Sequence, residues 1–249
     1  MAQNYQMEGG AHYMYSDFAD GMMETDHFGF DFKYHFDVVS TAGHPLAEAA
    51  FLERSNNIFA GYRYSDSDID LGLDKVSGKN HLFNFGGEAF IEDFYVSANI
   101  GLNQMKIEGE KDDTTDVGLR VGYLPMDGFL VTLGYDKDDS SDIDIVSLGA
   151  KIVTPLEGEM AVNIEAEIGV ADDDDDTVVY EIGGDLYFNH AMSAGLKLGG
   201  IDASGAKTEI ELRGRYFVTP LVSVNAFYID NLEYVKKSNA FGIGANMRF

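Results

Sequence analysis

His27-Phe28-Gly29-Phe30-Asp31-Phe32-Lys33-Tyr34-His35-Phe36-Asp37-Val38 alternates without a break. Phe28, Phe30, Phe32, Tyr34, Phe36 and Val38 share one face of an extended chain, because successive strand side chains point to opposite sides. His27, Gly29, Asp31, Lys33, His35 and Asp37 share the other. A strand of this length with one wholly apolar face and one charged face must lie between an apolar medium and water.

The same division recurs at Phe94, Val96, Ala98, Ile100 and Leu102, at Val117, Leu119, Val121 and Tyr123, and at Met160, Val162, Ile164, Ala166 and Ile168. It recurs again at Val178, Tyr180, Ile182, Leu186 and Phe188. Period-two segments fall near 5–16, 27–38, 47–64, 81–91, 94–107, 116–124, 129–136, 142–153, 160–171, 177–188, 192–201, 208–218, 222–229 and 238–249. They amount to about 14 strands, an even number of the kind that closes a membrane barrel. They use most of the 249 residues, so residues 1–249 are expected to form a single domain.

Composition agrees. Tyr (14), Phe (17) and Gly (28) are abundant and Pro (4) is scarce, a mix suited to strands and turns. The chain has no Cys, which removes disulfides, thiolate metal sites and cysteine nucleophiles. A net charge of -26 disfavours nucleic acid as a partner, since phosphate binding needs the opposite sign. No run reaches the ~20 apolar residues of a membrane helix, but a barrel carries only alternating apolarity. Met1, Ala2 and Gln3 lack the basic and apolar stretches of a secretory signal, so the reading is of a mature chain whose leader has been removed.

Two kinds of connection alternate along the chain. Residues 17–26, 65–80, 108–116, 136–142, 172–176, 202–207 and 230–237 hold 25 acidic and 7 basic residues. Residues 40–46, 92–93, 125–128, 154–159, 189–191 and 219–221 are short and contain no Lys or Arg. A soluble β-sandwich explains the strand alternation but not this asymmetry, which is that of the extracellular and periplasmic ends of an outer-membrane barrel. The fold expected is therefore an all-β, transmembrane, antiparallel up-and-down barrel with both termini periplasmic.

The chain closes on Ala240-Phe241-Gly242-Ile243-Gly244-Ala245-Asn246-Met247-Arg248-Phe249, which resembles the C-terminal assembly signal of Gram-negative outer-membrane barrels. His44-Pro45-Leu46-Ala47-Glu48-Ala49-Ala50-Phe51-Leu52 is similar to a stretch of gammaproteobacterial porins. The resemblance implies an outer-membrane porin or channel for passive diffusion of small polar solutes, with Phe249 read by the barrel assembly machinery. It also implies outer-membrane lipid and lipopolysaccharide as surroundings. Trp is absent, leaving Tyr13, Tyr15, Tyr62, Tyr64, Tyr123, Tyr135, Tyr180, Tyr216 and Tyr228 to form interfacial girdles.

Glu8, Asp31, Lys33, Arg54, Arg63, Glu88, Arg120, Lys151, Glu165, Glu167, Glu181, Asp185, Lys197, Glu209, Glu211, Arg213 and Arg215 fall on the inward face. Facing lipid, even one would cost ~2–4 kcal/mol near the midplane. They either line a hydrated pore of radius ~13 Å at the backbone or pair into a wall of structural ion pairs. Arg213 and Arg215 are set to face Glu165, Glu167, Glu181 and Asp185. The acidic connections predict a mild cation preference. The stretch 65–80, with Ile69, Leu71, Leu73 and Val76, either folds inward as a constriction or extends outward as a hairpin. Asp172 to Asp176 is either a divalent-cation or lipopolysaccharide-bridging site or a solvated tip.

His12, His27, His35, His44, His81 and His190 are scattered and no hydroxyl or carboxylate is placed beside one as an activated partner, so no catalytic residues are expected. No metal and no cofactor are expected either. An N-terminal plug is not anticipated, because the first strand starts at Tyr5, and a monomer is favoured. The second reading is a non-conducting barrel that is structural or binds at the cell surface.

Overall fold

The computed structural model describes residues 3–18, 21–70, 72, 75–139, 143–172, 177–202, 207–231 and 238–249. Its strands are β1 (Asn4–Phe18), β2 (Met23–Ser40), β3 (Asn57–Asp70), β4 (Lys75–Ile91), β5 (Phe94–Ile107), β6 (Glu110–Met126) and β7 (Phe129–Asp138). They continue as β8 (Ile143–Pro155), β9 (Ala161–Ala171), β10 (Val178–Asn189), β11 (Met192–Asp202), β12 (Lys207–Thr219), β13 (Val222–Asn231) and β14 (Ser238–Arg248). Each strand pairs antiparallel with its sequence neighbours, and β1 pairs with β14 to close a 14-stranded barrel.

Closure runs from Glu8↔Arg248 to Phe18↔Ser238. Below it, the backbone of Phe249 completes the seam: its carbonyl accepts from the N–H of Gln6 (2.7 Å) and Met7 (3.0 Å), and its N–H donates to Met7 O (2.9 Å). A closed ladder leaves no edge whose backbone groups would be unsatisfied in lipid.

The alternation places apolar side chains outside. Phe28, Phe30 and Phe32 on β2 are 48 %, 59 % and 48 % exposed, and Leu119, Val121, Ile164, Ile168, Tyr216 and Tyr228 are exposed in the same way. This surface is stable only against lipid. The charged faces turn inward, where cross-strand partners meet.

Strand existence follows the periodicity, but several boundaries differ from the sequence reading. β4 and β6 begin several residues earlier than expected, at Lys75 and Glu110. Of the two courses expected for residues 65–80, the described residues take the hairpin and not the inward constriction. They continue the wall as a paired hairpin, from Ser65↔Asn80 to Asp70↔Lys75, with Leu71 and Leu73 outside the described residues. Much of the expected acidic loop 108–116 is likewise strand, closed by a two-residue turn at Glu108 (φ 51°) and Gly109 (φ 97°). Positive φ at both central residues is the geometry that matches strand twist in a tight hairpin.

The largest difference lies between β2 and β3. Residues 47–56 are not strand: a 3-10 turn at Leu46–Glu48 runs into a short helix α1 (Ala49–Leu52), and β3 starts only at Asn57. Ala, Leu and Glu following Pro45 favour helical over extended backbone. The expected tight turn at 40–46 is therefore the start of a connection spanning 41–56.

Candidate functional site: the lumen and the connection within it

The connection between β2 and β3 enters the barrel. Glu48 Oε2 lies 2.9 Å from Lys151 Nζ on β8, and Tyr187 on β10 donates to Glu48 Oε1 at 2.6 Å. β8 and β10 are each six strands from β2 around a ring of fourteen, so these contacts cross the bore. Leu46 donates its N–H to His190 O (2.8 Å) and its carbonyl accepts from Arg248 Nη1 (2.8 Å).

The return leg is held as firmly. Arg54 adopts φ 50°, reversing the chain, and its guanidinium donates to Glu92 O (2.8 Å), Asp93 (3.0 Å) and Asp127 (2.8 Å) in the tight turns beside it. Ser55 Oγ meets His35 Nδ1 at 2.8 Å, and His35 Nε2 meets Glu8 Oε1 at 2.9 Å, with Glu8 Oε2 accepting from Arg248 Nε at 2.8 Å. His35 is fully buried. This arrangement places a hydroxyl and a carboxylate beside a histidine that sequence reading left unpartnered.

Apolar burial reinforces these polar anchors. Ala49 packs with Tyr5 and Val39, and Phe51 packs against the cluster of Tyr95, Leu124 and Leu130. Both clusters form where the connection meets the wall. The inserted connection thus adds apolar packing to the inner side of the wall.

Above the connection the inward charges pair across strands. Lys33 meets Glu88 (3.4 Å), Arg120 meets Asp136 (3.1 Å) and Glu167 (3.3 Å), and Lys151 reaches Glu165 (2.9 Å) as well as Glu48. Lys197 meets Glu181 (3.1 Å) and Glu211 (3.7 Å), and Arg213 clamps Asp185 through Nε (3.0 Å) and Nη2 (2.7 Å). Planar two-point pairing of this kind is stronger and more directional than a point-charge contact. Of the facing arrangement expected for Arg213 and Arg215, the structure brings Arg213 to Asp185, while Glu165, Glu167 and Glu181 take Lys151, Arg120 and Lys197.

Cavities remain inside the barrel among the described residues. One of about 610 Å³ is lined by Asp31, Lys33, Glu88, Lys151 and Arg215 among others, with Ala47, Glu48, Ala50, Phe51 and Ser55 of the connection on its boundary. The second, about 430 Å³, is lined by Lys151, Glu165, Asp185, Glu211, Arg213 and Arg215, again with Glu48. Arg63, Arg120, Glu167, Glu181 and Glu209 lie on strands outside these two linings. Arg54 is not a wall residue; it belongs to the connection, because the segment assumed to be strand is not. Asp173 to Asp176 of the acidic tip lie outside the described residues.

Sequence reasoning missed Glu48, Tyr187 and Ser55. The available signal was the run Leu46-Ala47-Glu48-Ala49-Ala50-Phe51-Leu52, which has the residues of a helix and none of the β-branched residues of the strands around it.

A closed 14-stranded wall, apolar outside and charged inside, with cavities within it, is a channel architecture. Residues 11–133 match the model of a family described as "Putative general bacterial porin". Over 99 % of both chains the fold superimposes on the outer membrane protein Omp33 of Acinetobacter baumannii, with a TM-score of 0.75 and 25 % identity. The fold is that of an outer-membrane porin. The CymD monoaromatic hydrocarbon channel is similar at a TM-score of 0.68 and 10 % identity, covering 98 % of this chain and 89 % of its own. OccK7 (OpdD) of Pseudomonas aeruginosa is similar at a TM-score of 0.51 and 8 % identity, covering 99 % of each chain. No curated protein matches. These likenesses support an outer-membrane channel in a Gram-negative envelope, and the porin family and fold are typically non-enzymatic.

Proposed function

We propose that this barrel is a passive diffusion channel for small polar solutes, mildly cation-preferring, with its conductance set by the connection between β2 and β3. The observation that carries the reading is the pair of charged cavities left inside the barrel beside Glu48. A barrel whose only task were structural would gain stability from filling that space with apolar side chains, since ion pairs inside a protein repay little of their desolvation.

On this reading Asp31, Lys33, Arg63, Glu88, Arg120, Lys151, Glu165, Glu167, Glu181, Asp185, Glu209, Glu211, Arg213 and Arg215 line the pore, and Arg54 anchors the connection at its rim. The end bearing the termini and tight turns faces the periplasm. The acidic hairpins at the other end, including Glu108, Glu110, Asp112 and Asp113, concentrate cations at the outer mouth. Phe249 is read by the assembly machinery, and lipopolysaccharide and lipid surround a monomer.

The test is single-channel recording of the refolded full chain in a planar bilayer, with reversal potential under a salt gradient, beside a variant in which residues 43–54 are replaced by a short glycine-serine turn. Cation-preferring steps that grow in the variant are expected. A folded variant that carries no current would overturn the channel reading and leave a structural or surface-binding barrel.

A further inference from the structure

The larger cavity is electrically balanced in an uneven way. Eight charged side chains line it, and six of them form pairs: Glu8 with Arg248, Lys33 with Glu88, and Glu48 with Lys151. The two left over are a carboxylate, Asp31, and a guanidinium, Arg215. Asp31 takes one hydrogen bond, from His12 Nδ1 at 3.2 Å, and its side chain is 62 % exposed. Among the described residues no carboxylate lies within ion-pair distance of Arg215, which is also exposed to the lumen.

Both groups line this one cavity, on strands β2 and β12. The ladder from Asp31 passes through Gly10, Asn246 and Ser223 to Phe217, two residues from Arg215. Four strand steps of ~4.8 Å give an arc on the order of 20 Å, and two inward side chains shorten the gap to the span of a molecule with a few heavy atoms between its charges. On the strands between them the cavity is lined by Ser223 and Asn246 and by Glu8 and Arg248, whose charges are taken up in their own pair, and Asn246 Nδ2 donates to Asn225 Oδ1 at 3.2 Å. At about 610 Å³ the space has the size of a small-molecule site, for which ~300–1,000 Å³ is usual.

A lone cation drawn to Asp31 is repelled by Arg215, and a lone anion meets the converse. A solute carrying both charges satisfies both. We propose that this cavity is a binding site for small zwitterions of amino-acid to dipeptide length, with the carboxylate on Arg215 and the ammonium on Asp31. The proposal rests on the channel reading for its purpose, but the binding itself does not require conduction.

Isothermal titration of the detergent-refolded full chain tests it, with glycylglycine as the zwitterion, N-acetylglycine as the anion alone and glycinamide as the cation alone. Glycylglycine is expected to bind saturably and each half-charged analogue at least tenfold more weakly. Asp31→Asn and Arg215→Gln should each weaken glycylglycine at least tenfold, and Arg215→Lys should recover part of the loss. Absence of saturable glycylglycine heat, or equal binding of the three ligands to the unaltered chain, overturns the site whether or not the variants fold. Conduction in the bilayer without zwitterion binding sinks this inference alone. Zwitterion binding without conduction in the shortened variant supports it and sinks the channel reading.

Discussion

Lys151 on β8 stands between two carboxylates, Glu48 of the inserted connection and Glu165 of the wall, at 2.9 Å from each. The lysine therefore keeps a partner whether the connection is docked or withdrawn. Glu48 does not: it is buried, and its other partner is the Tyr187 hydroxyl.

Breaking a buried ion pair from one side typically costs 3–5 kcal/mol. Because Lys151 retains Glu165, the docked state should lose about 3 kcal/mol on Glu48→Ala, or roughly a hundredfold in the docking equilibrium. The expected result is a marked rise in open probability in planar bilayers, with the barrel still folded by its heat-modifiable gel mobility. Unchanged gating would show that Glu48 does not hold the connection in place.

Phe30 lies near the middle of β2 and points outward. Phe30→Arg should destabilise the barrel in phosphatidylcholine vesicles by ~2–4 kcal/mol, the cost of a lipid-facing Arg at the midplane. Urea titration of vesicle-inserted protein measures it, and a cost near zero would place that face away from lipid.

The β5–β6 hairpin carries Glu110, Asp112 and Asp113, all exposed. Their field reaches ~10 Å at 0.1 M salt and ~3 Å at 1 M. Cation preference, read from reversal potentials, should shrink across that range and fall about twofold when the three are replaced by Gln and Asn. A preference indifferent to salt would locate the selectivity inside the lumen.

Gly86 on β4 has no room for a side chain: a Cβ there would sit 2.6 Å from Ala98 O, which is backbone, and against the Phe59 ring. At Gly199 on β11 the nearest atom, Tyr180 O, would be 3.7 Å away. Gly86→Ala should therefore cost ~1–3 kcal/mol of unfolding stability, while Gly199→Ala should be close to neutral. Equal effects at the two positions would contradict the close approach of Phe59 to β4.

Much of this barrel is written in the amino-acid order. The run from His27 to Val38 has a period of two, and a period-two pattern with one apolar face marks a strand between an apolar medium and water. Repeated around the chain with alternating connections, it determines strand number, inward and outward faces, and antiparallel order, because each of these depends on local periodicity. The inward position of Asp185 and Arg213 was legible for that reason. Their mutual pairing, with Glu165 going to Lys151 instead, was not, since it depends on register between strands.

The course of residues 41–56 was decided only by tertiary structure. The sequence from Pro45 to Leu52 is short, and nothing local separates a helical turn lying outside the barrel from one inserted into it. Insertion follows from partners far away in the chain: Lys151, Tyr187 and His190 on the opposite wall, and Arg248 at the closing seam. Those contacts exist only once the barrel has closed. Whether the lumen is open or occupied is thus a property of the ring as a whole, fixed by long-range pairing of a buried carboxylate rather than by any pattern along the strand.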